Sequence, residues 1–350
     1  MRWSFPLGRV RGIRIGVHAS FFLIILWAGW LGGRYAGMPG AAWAIAMMAL
    51  LFVCVVLHEL GHSLVAMRCG VRVRHITLLP IGGVAAMDTI PEDPRQELAI
   101  AIAGPLVNVG ILAVLLPWRG FPAWLNIPLI PQSMPQLVDA VVRANIVLVF
   151  FNLLPAFPMD GGRVLRAVLA MVFRYTTATA WAATLGRVVA IGFMGLGLLA
   201  ANPFLVLIGF FVFFGAGAEH RLVRFKYGLK GRVARTEMQP VPPILPPETP
   251  LGTCAAICQT DGHRDFLVGW SPAQVFGMLP YRHWAAAIKR YGPEARVGQH
   301  TRPYFIHLPA DAPLEALAPQ LQASKQPFYP VRCDGRICGI VYRRDLERRR

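Results

Sequence analysis

His58 and His62 lie four residues apart, with Glu59 beside the first, in the run Val55-Val56-Leu57-His58-Glu59-Leu60-Gly61-His62. Residues four apart on a helix project from the same face. Two imidazoles in that relation can hold one Zn²⁺, and a carboxylate beside them can act as general base on an attacking water. From Ala41 to Ala66 the only charged or imidazole side chains are His58, Glu59 and His62. Such groups are costly inside an apolar span and mark a functional site by default. The alternative is a capping or surface histidine pair on a soluble helix. Against it, Ala, Met, Leu, Phe and Val surround the motif on every face.

A catalytic zinc takes three protein ligands. The best candidate for the third is Asp160, in Asn152-Leu153-Leu154-Pro155-Ala156-Phe157-Pro158-Met159-Asp160-Gly161-Gly162. Here an Asn sits in an apolar span, two prolines break the helix, and two glycines follow the Asp. Prolines free backbone groups and glycines permit close approach. Irregular backbone at membrane depth is tolerated only when buried in protein or lining a wet cavity. An ordinary helix C-terminus at the membrane surface remains the alternative for this segment.

The elements that must carry these residues are membrane spans. The chain has 350 residues, 55% hydrophobic and only 15% charged, with a mean hydropathy of +0.49, outside the range of ordinary soluble domains. Apolar segments long enough to cross a bilayer fall near Val17–Leu31, Ala41–Met67, Leu98–Leu116, Leu137–Leu154, Ala180–Ala200 and Pro203–Ala218. The net charge of +17 suggests nucleic acid at first sight. The basic residues, however, flank the spans on one side. Arg2, Arg9, Arg11 and Arg14 precede the first span, and Arg68, Arg72, Arg74 and Arg95 follow the second. Arg163, Arg166 and Arg174 follow the fourth, and Arg221, Arg224, Lys226, Lys230, Arg232 and Arg235 follow the sixth. The opposite loops offer little beyond Arg34 and Arg119, and Arg187 inside the fifth span is an exception. This bias puts both termini in the cytoplasm of a multi-pass protein of the inner (plasma) membrane and sets nucleic acid aside as a partner. The N-terminus lacks a small-residue cleavage site and does not read as a removable signal peptide.

After Lys230 the composition changes. Pro240, Pro242, Pro243, Pro246, Pro247 and Pro250 form a stiff linker, followed by short apolar runs of a soluble α/β domain. A weak repeat is present. Pro246–Leu251 parallels Pro309–Leu314, Asp265–Val268 parallels Pro327–Val331, and Val275–Leu279 parallels Ile337–Val341. The division is therefore 1–230 for the membrane part and 231–350 for a cytosolic tandem module. Cys54 and Cys69 lie in or at the end of a span. Cys254, Cys258, Cys333 and Cys338 fall in the cytosolic part, where free thiols are expected and the spacings are not those of a zinc knuckle.

His58-Glu59-Leu60-Gly61-His62 together with Asn152-x-x-Pro155-x-x-Pro158-x-Asp160-Gly161 resembles the site-2 protease family of intramembrane zinc metalloproteases. The resemblance covers about the first 230 residues. It extends to Gly82-Gly83-Val84 and to Ala103-Gly104-Pro105-Leu106-Val107-Asn108. It implies one catalytic Zn²⁺ bound by His58, His62 and Asp160, with Glu59 as general base. It further implies that Asn152 holds the substrate or stabilises the oxyanion, and that Gly82-Gly83 belongs to a membrane-embedded β-hairpin loop. The tail resembles a tandem cystathionine-β-synthase (CBS) pair. Such modules often bind adenosine nucleotides through a Thr or Ser and an Asp near the end of each copy. The first copy, Gly277–Trp284, has neither; the second has Asp345, with Tyr342 at the hydroxyl position. A nucleotide ligand is thus set against a structural role or a homodimer contact.

The expected fold is an α-helical polytopic membrane protein of about six transmembrane helices with an embedded β-hairpin loop, plus a C-terminal α/β CBS pair. The expected function is cleavage of transmembrane segments of membrane-bound regulators by a zinc metalloendopeptidase, modulated by the tail, with the bilayer and transmembrane proteins as partners. Two rivals stand beside it. One is a CBS-regulated transporter or channel, which has no need of Glu59 between two histidine ligands. The other is a non-catalytic relative that binds membrane partners, which normally lacks a ligand or the Glu.

Overall fold

The computed structural model describes residues 4–80, 82–87, 91–119, 130–324 and 326–347. Arg2 of the basic N-terminal flank lies outside them. The chain divides into two compact units, Met1–His220 and Arg221–Arg350.

The first unit opens with strands β1 (Ser4–Val10) and β2 (Ile13–His18) and a long helix, α1 (Ser20–Arg68). Val17, expected at the start of the first span, lies instead in β2. Ile13, Ile15 and Val17 are buried at alternate positions, the period of a strand, and the helix starts only at Ser20. α1 is broken at Ala36 and Gly37, where the backbone leaves helical values just before Pro39. The chain there folds back on itself. A Cβ on Gly32 would lie 2.3 Å from the Gly40 carbonyl oxygen, so only glycine lets the two halves touch. The ring of Phe21 meets Phe52 edge-on, with centroids 4.5 Å apart, further from the bend. α1 is thus two antiparallel apolar segments, matching the first two expected spans.

Strands β3 (Val73–Leu79) and β4 (Gly82–Met87) follow as an antiparallel hairpin, then helices α2 (Pro94–Arg119), α3 (Met134–Asn152), α4 (Asp160–Ala170), α5 (Tyr175–Leu199) and α6 (Pro203–Gly228). Among the described residues, five helices, α1, α2, α3, α5 and α6, are long and apolar enough to cross a membrane. With α1 counted as two segments, these helices supply six apolar segments, in keeping with the expected number of about six. The four strands form one sheet in the order β1-β2-β3-β4, with β2 and β3 parallel. Ile13, Ile15, Val73 and Ile76 of the sheet pack with Leu60 and Ala66 of α1 and Ile100 of α2. This core fixes the hairpin against the helix turn that carries His58, Glu59 and His62.

Arg166 was counted above among loop charges, but it is buried on α4, at 1% exposure. Its Nε donates to Glu97 of α2 at 2.8 Å, and Nη1 donates to Glu219 of α6. The rings of Phe157 and Tyr175 lie against the guanidinium, 4.9 and 5.0 Å away. Removing one member of such a cluster strands a buried charge, whereas replacing all members by apolar groups need not destabilise. Arg166→Ala is therefore expected to cost about 3–5 kcal/mol. Thermal unfolding in detergent checks this, and a cost no larger than that of a surface substitution would contradict it.

The second unit contains α7 (Ala234–Glu237), β5 (Ile244–Leu245), α8 (Leu251–Thr260), β6 (Phe266–Gly269), β7 (Val275–Leu279) and α9 (Tyr281–Tyr291). It continues with β8 (Leu308–Pro309), α10 (Ala318–Ala323), β9 (Phe328–Cys333), β10 (Arg336–Tyr342) and α11 (Arg343–Glu347). The repeat seen in the sequence is a repeat of structure. β5 runs parallel to β6 and β6 antiparallel to β7; β8, β9 and β10 repeat the pattern. Leu267 and Met278 of the first copy share a core with Phe328, Ile337 and Ile340 of the second. Each copy is too small to bury a core comfortably alone, and they bury one together. Cys333 and Cys338 are joined in a disulfide, where free thiols were expected. Asp334 and Gly335, both at positive φ, fold β10 onto β9, and a bulge between Ile337 and Gly339 brings the two Cα atoms to 5.8 Å. Cys254 is free, and burial pushes its thiol up to about 12, which disfavours the thiolate a metal would need.

Candidate metal centre

His58 and His62 project from one face of the second half of α1, and both are buried. Asp160, the first residue of α4, meets them. Its Oδ2 lies 3.2 Å from His58 Nε2 and 3.0 Å from His62 Nε2, and the two Nε2 atoms are 3.1 Å apart. A tetrahedral zinc with bonds of about 2.1 Å requires ligand atoms about 3.4 Å apart, so the triangle is close to the size of one face. Among the described residues this is the one group of three His, Cys, Asp or Glu side chains placed to hold a metal ion.

The imidazoles are oriented for that purpose. His58 Nδ1 donates to Asn108 Oδ1 at 2.6 Å, and His62 Nδ1 donates to the Ile100 carbonyl at 2.6 Å. With the proton held at Nδ1, each Nε2 keeps its lone pair for a metal. Asn108 is itself held. Its Nδ2 donates to Asn145 Oδ1 of α3 at 2.8 Å, and Asn145 Nδ2 donates to the Val141 carbonyl at 2.9 Å and to Cys54 Sγ at 3.3 Å. Both asparagines are fully buried. Gly104 makes room for the ligands, since a Cβ there would lie 2.2 Å from His62 Nε2 and 2.7 Å from His58 Nε2. The donor set, the tautomers and the space all fit a single zinc. Asn108→Ala is expected to weaken zinc binding about 10- to 100-fold while leaving its stoichiometry at one. Competition with a chromogenic chelator measures it, and an unchanged affinity would show that Asn108 does not orient His58.

Glu59 lies beside the triangle, in a cavity of about 550 Å³ that it lines with His58, His62, Asn152, Asp160 and Arg163. Gly82 and Gly83 of β4 form another wall. A Cβ on Gly83 would come 2.5 Å from Glu59 Cγ, so the strand passes directly over the carboxylate's stem. Asn152 is the last residue of α3, and the Pro155–Pro158 turn, with a cis Phe157–Pro158 bond, leads from it to Asp160. All five residues singled out from the sequence thus converge on one cavity. Sequence reasoning did not single out Asn145 or assign roles to Asn108 and Arg163. Arg163 Nη1 lies 3.9 Å from Asp160 Oδ1, and its Nε and Nη2 have no hydrogen-bond partner among the described residues. The two asparagines carried a signal, since each is an amide within an apolar span.

The model of peptidase family M50 matches residues 46–124 and 125–196. A zinc metalloprotease of Methanocaldococcus jannaschii is 42% identical over 248 residues, covering 71% of this chain and 70% of that protein. The chain belongs to peptidase family M50, the site-2 proteases. Stage IV sporulation protein FB of Bacillus subtilis is 33% identical over 156 residues, 44% of this chain and 46% of that protein. Among solved structures, the site-2 protease from Methanocaldococcus jannaschii is similar at 42% identity and a TM-score of 0.47, covering 62% of this chain and 95% of that one. The CBS domain of a bacterial CNNM/CorC family Mg²⁺ transporter is similar at 18% identity and a TM-score of 0.32, covering 37% of this chain and 81% of that one. The family is one of membrane zinc metalloproteases, in keeping with the five apolar helices and with a His58, His62 and Asp160 cluster able to hold one ion.

Proposed function

We propose that the chain is an intramembrane endopeptidase that cleaves transmembrane segments of membrane-bound regulatory proteins. The observation that carries this reading is the convergence of three buried ligand atoms, all within 3.2 Å of one another, with Glu59 in one cavity among apolar helices. His58, His62 and Asp160 would hold the zinc, which would supply Lewis-acid polarisation of the scissile carbonyl and of the attacking water. Glu59 accepts the water's proton and passes it to the leaving amine. Asn152 and the unpartnered edge of Arg163 supply donors for the carbonyl oxygen as it gains negative charge. A helical substrate hides its carbonyls in internal hydrogen bonds and must unwind to be cut. β4 is the edge strand of its sheet and lines the cavity, so it can take the unwound segment by strand addition. The test is metal analysis of the purified protein combined with cleavage of a transmembrane substrate in proteoliposomes. One zinc per chain and chelator-sensitive cleavage are expected; zinc without cleavage would point to a non-catalytic relative.

The functional division follows 1–230 and 231–350, and both termini face the cytoplasm, as the basic flanks and six apolar segments support. The tail acts as a CBS-like regulator of substrate entry, through an adenosine nucleotide or through homodimer contacts. Asp345, the one residue matching a ribose contact, accepts a hydrogen bond from Gln239 at 3.0 Å, which a nucleotide would have to displace. Removal of residues 232–350 is expected to leave zinc content unchanged and to alter the rate or choice of substrate severalfold. Unchanged kinetics with the natural substrate, with and without adenosine nucleotides, would leave the tail an assembly element.

A further inference from the structure

The first hairpin of the chain contributes nothing to the metal cavity, yet its surface is strongly patterned. β1 is exposed along its whole length, with Phe5 53% and Leu7 64% accessible. At the base of the hairpin the ring of Phe5 packs edge-on against Phe22 in the first turn of α1, with centroids 6.0 Å apart. The apolar strip is therefore continuous with the start of a spanning helix. The other end of the hairpin is cationic. Arg11 lies in the turn and Arg9 pairs directly with Arg14 across the strands. Like charges placed opposite each other repel, and no Asp or Glu precedes Glu59 in the chain to offset them locally. From Phe5 to Arg9 the strand rises about 13 Å, enough to cross a headgroup layer. An exposed edge can also recruit a second strand. Here Pro6 lacks an N–H to donate, and a bulge between Pro6 and Gly8 breaks the register.

We propose that the β1–β2 hairpin is an interfacial membrane anchor: Phe5 and Leu7 enter the boundary between headgroups and acyl chains beside α1, and Arg9, Arg11 and Arg14 bind anionic phospholipid headgroups. An apolar strip continuous with a span and a cationic tip on a stretch of chain with no acidic residue before Glu59 are what an anionic membrane surface complements. The hairpin also begins the sheet that ends in β4 at the cavity, so the anchor fixes the sheet's outer edge to the bilayer while its inner edge lies at the reaction site.

The experiment uses the full chain in vesicles of phosphatidylcholine mixed with phosphatidylglycerol. An encoded fluorescent amino acid at position 7 is expected to be quenched by bromine atoms on lipid acyl chains and shielded from aqueous iodide, and one at position 11 the reverse. Equal iodide quenching at the two positions would overturn the anchor. Native mass spectrometry after release from the same lipids reads the headgroup contact. Arg9→Gln, Arg11→Gln and Arg14→Gln are each expected to lower the preference for phosphatidylglycerol over phosphatidylcholine about five-fold. Unchanged retention in the triple variant, or displacement of the lipid by inorganic phosphate alone, would overturn the assignment to an anionic lipid surface. None of these residues lines the metal cavity, so zinc content of each variant verifies its folding independently.

Discussion

Glu59→Gln is expected to remove proteolysis and leave the zinc in place. The amide fills the same volume beside Gly83, where the space is closely fitted, so the cavity keeps its shape. What the amide lacks is basicity: it cannot take a proton from water or deliver one to the leaving amine. A positioned acid–base group contributes about 10²- to 10⁴-fold, and here one group serves both transfers, so turnover should fall at least about a thousand-fold. Zinc content should not follow, because the ligand triangle consists of His58, His62 and Asp160 without Glu59. Paired measurements on one preparation, metal by mass spectrometry and cleavage of a transmembrane substrate in liposomes, separate the two effects. Turnover near that of the unmodified protein would mean that another group moves the proton. Loss of zinc together with activity would mean that Glu59 supports the metal.

What could be read from the sequence depended on how local its cause was. The spacing of His58 and His62 is a property of one helix turn, and an apolar setting makes the pair conspicuous. The tandem α/β tail was legible for a similar reason, since a repeat at fixed spacing copies its pattern of short apolar runs. Asp160 is different. It lies 98 positions from His62; the Asn152–Gly162 segment made it the best candidate but left a helix end at the surface equally open, and the resemblance to site-2 proteases tipped the balance. Arg166 shows the limit of charge counting. A count along the chain places it with Arg163 and Arg174 as a flanking charge, whereas Glu97 and Glu219 from two distant helices neutralise it in the interior. Val17 shows the limit of hydropathy, because only His18, Ala19 and Ser20 part the strand alternation of Ile13, Ile15 and Val17 from the apolar helix. The Cys333–Cys338 bridge was hidden because Cys338 sits at a bulge, invisible in the sequence, that takes it out of the register between β9 and β10.

Asp160→Ala is expected to abolish stable zinc binding, and with it activity. Loss of a supporting residue such as Asn108 costs about 10- to 100-fold in metal affinity, and loss of a direct ligand removes one of three bonds and should cost more. The two histidines left behind share one face of α1 and cannot enclose an ion alone. The carboxylate also supplies the only negative charge in the triangle, so Asp160→Asn, which keeps shape and an oxygen but not the charge, should retain zinc more weakly than the unmodified protein and more strongly than Asp160→Ala. The ordering of the three forms distinguishes a ligand from a helix-capping role. An acidic residue in the first turn of α4 also stabilises that helix through its dipole, by about 0.3–1 kcal/mol. Such a loss would shift thermal unfolding slightly without touching metal content. α4 itself should hold its place, because Arg166, two turns on, remains paired with Glu97 and Glu219. Dialysis against a graded series of chelator concentrations, followed by metal analysis, gives the order of retention. Equal zinc retention in Asp160→Ala and the unmodified protein would place the third ligand elsewhere.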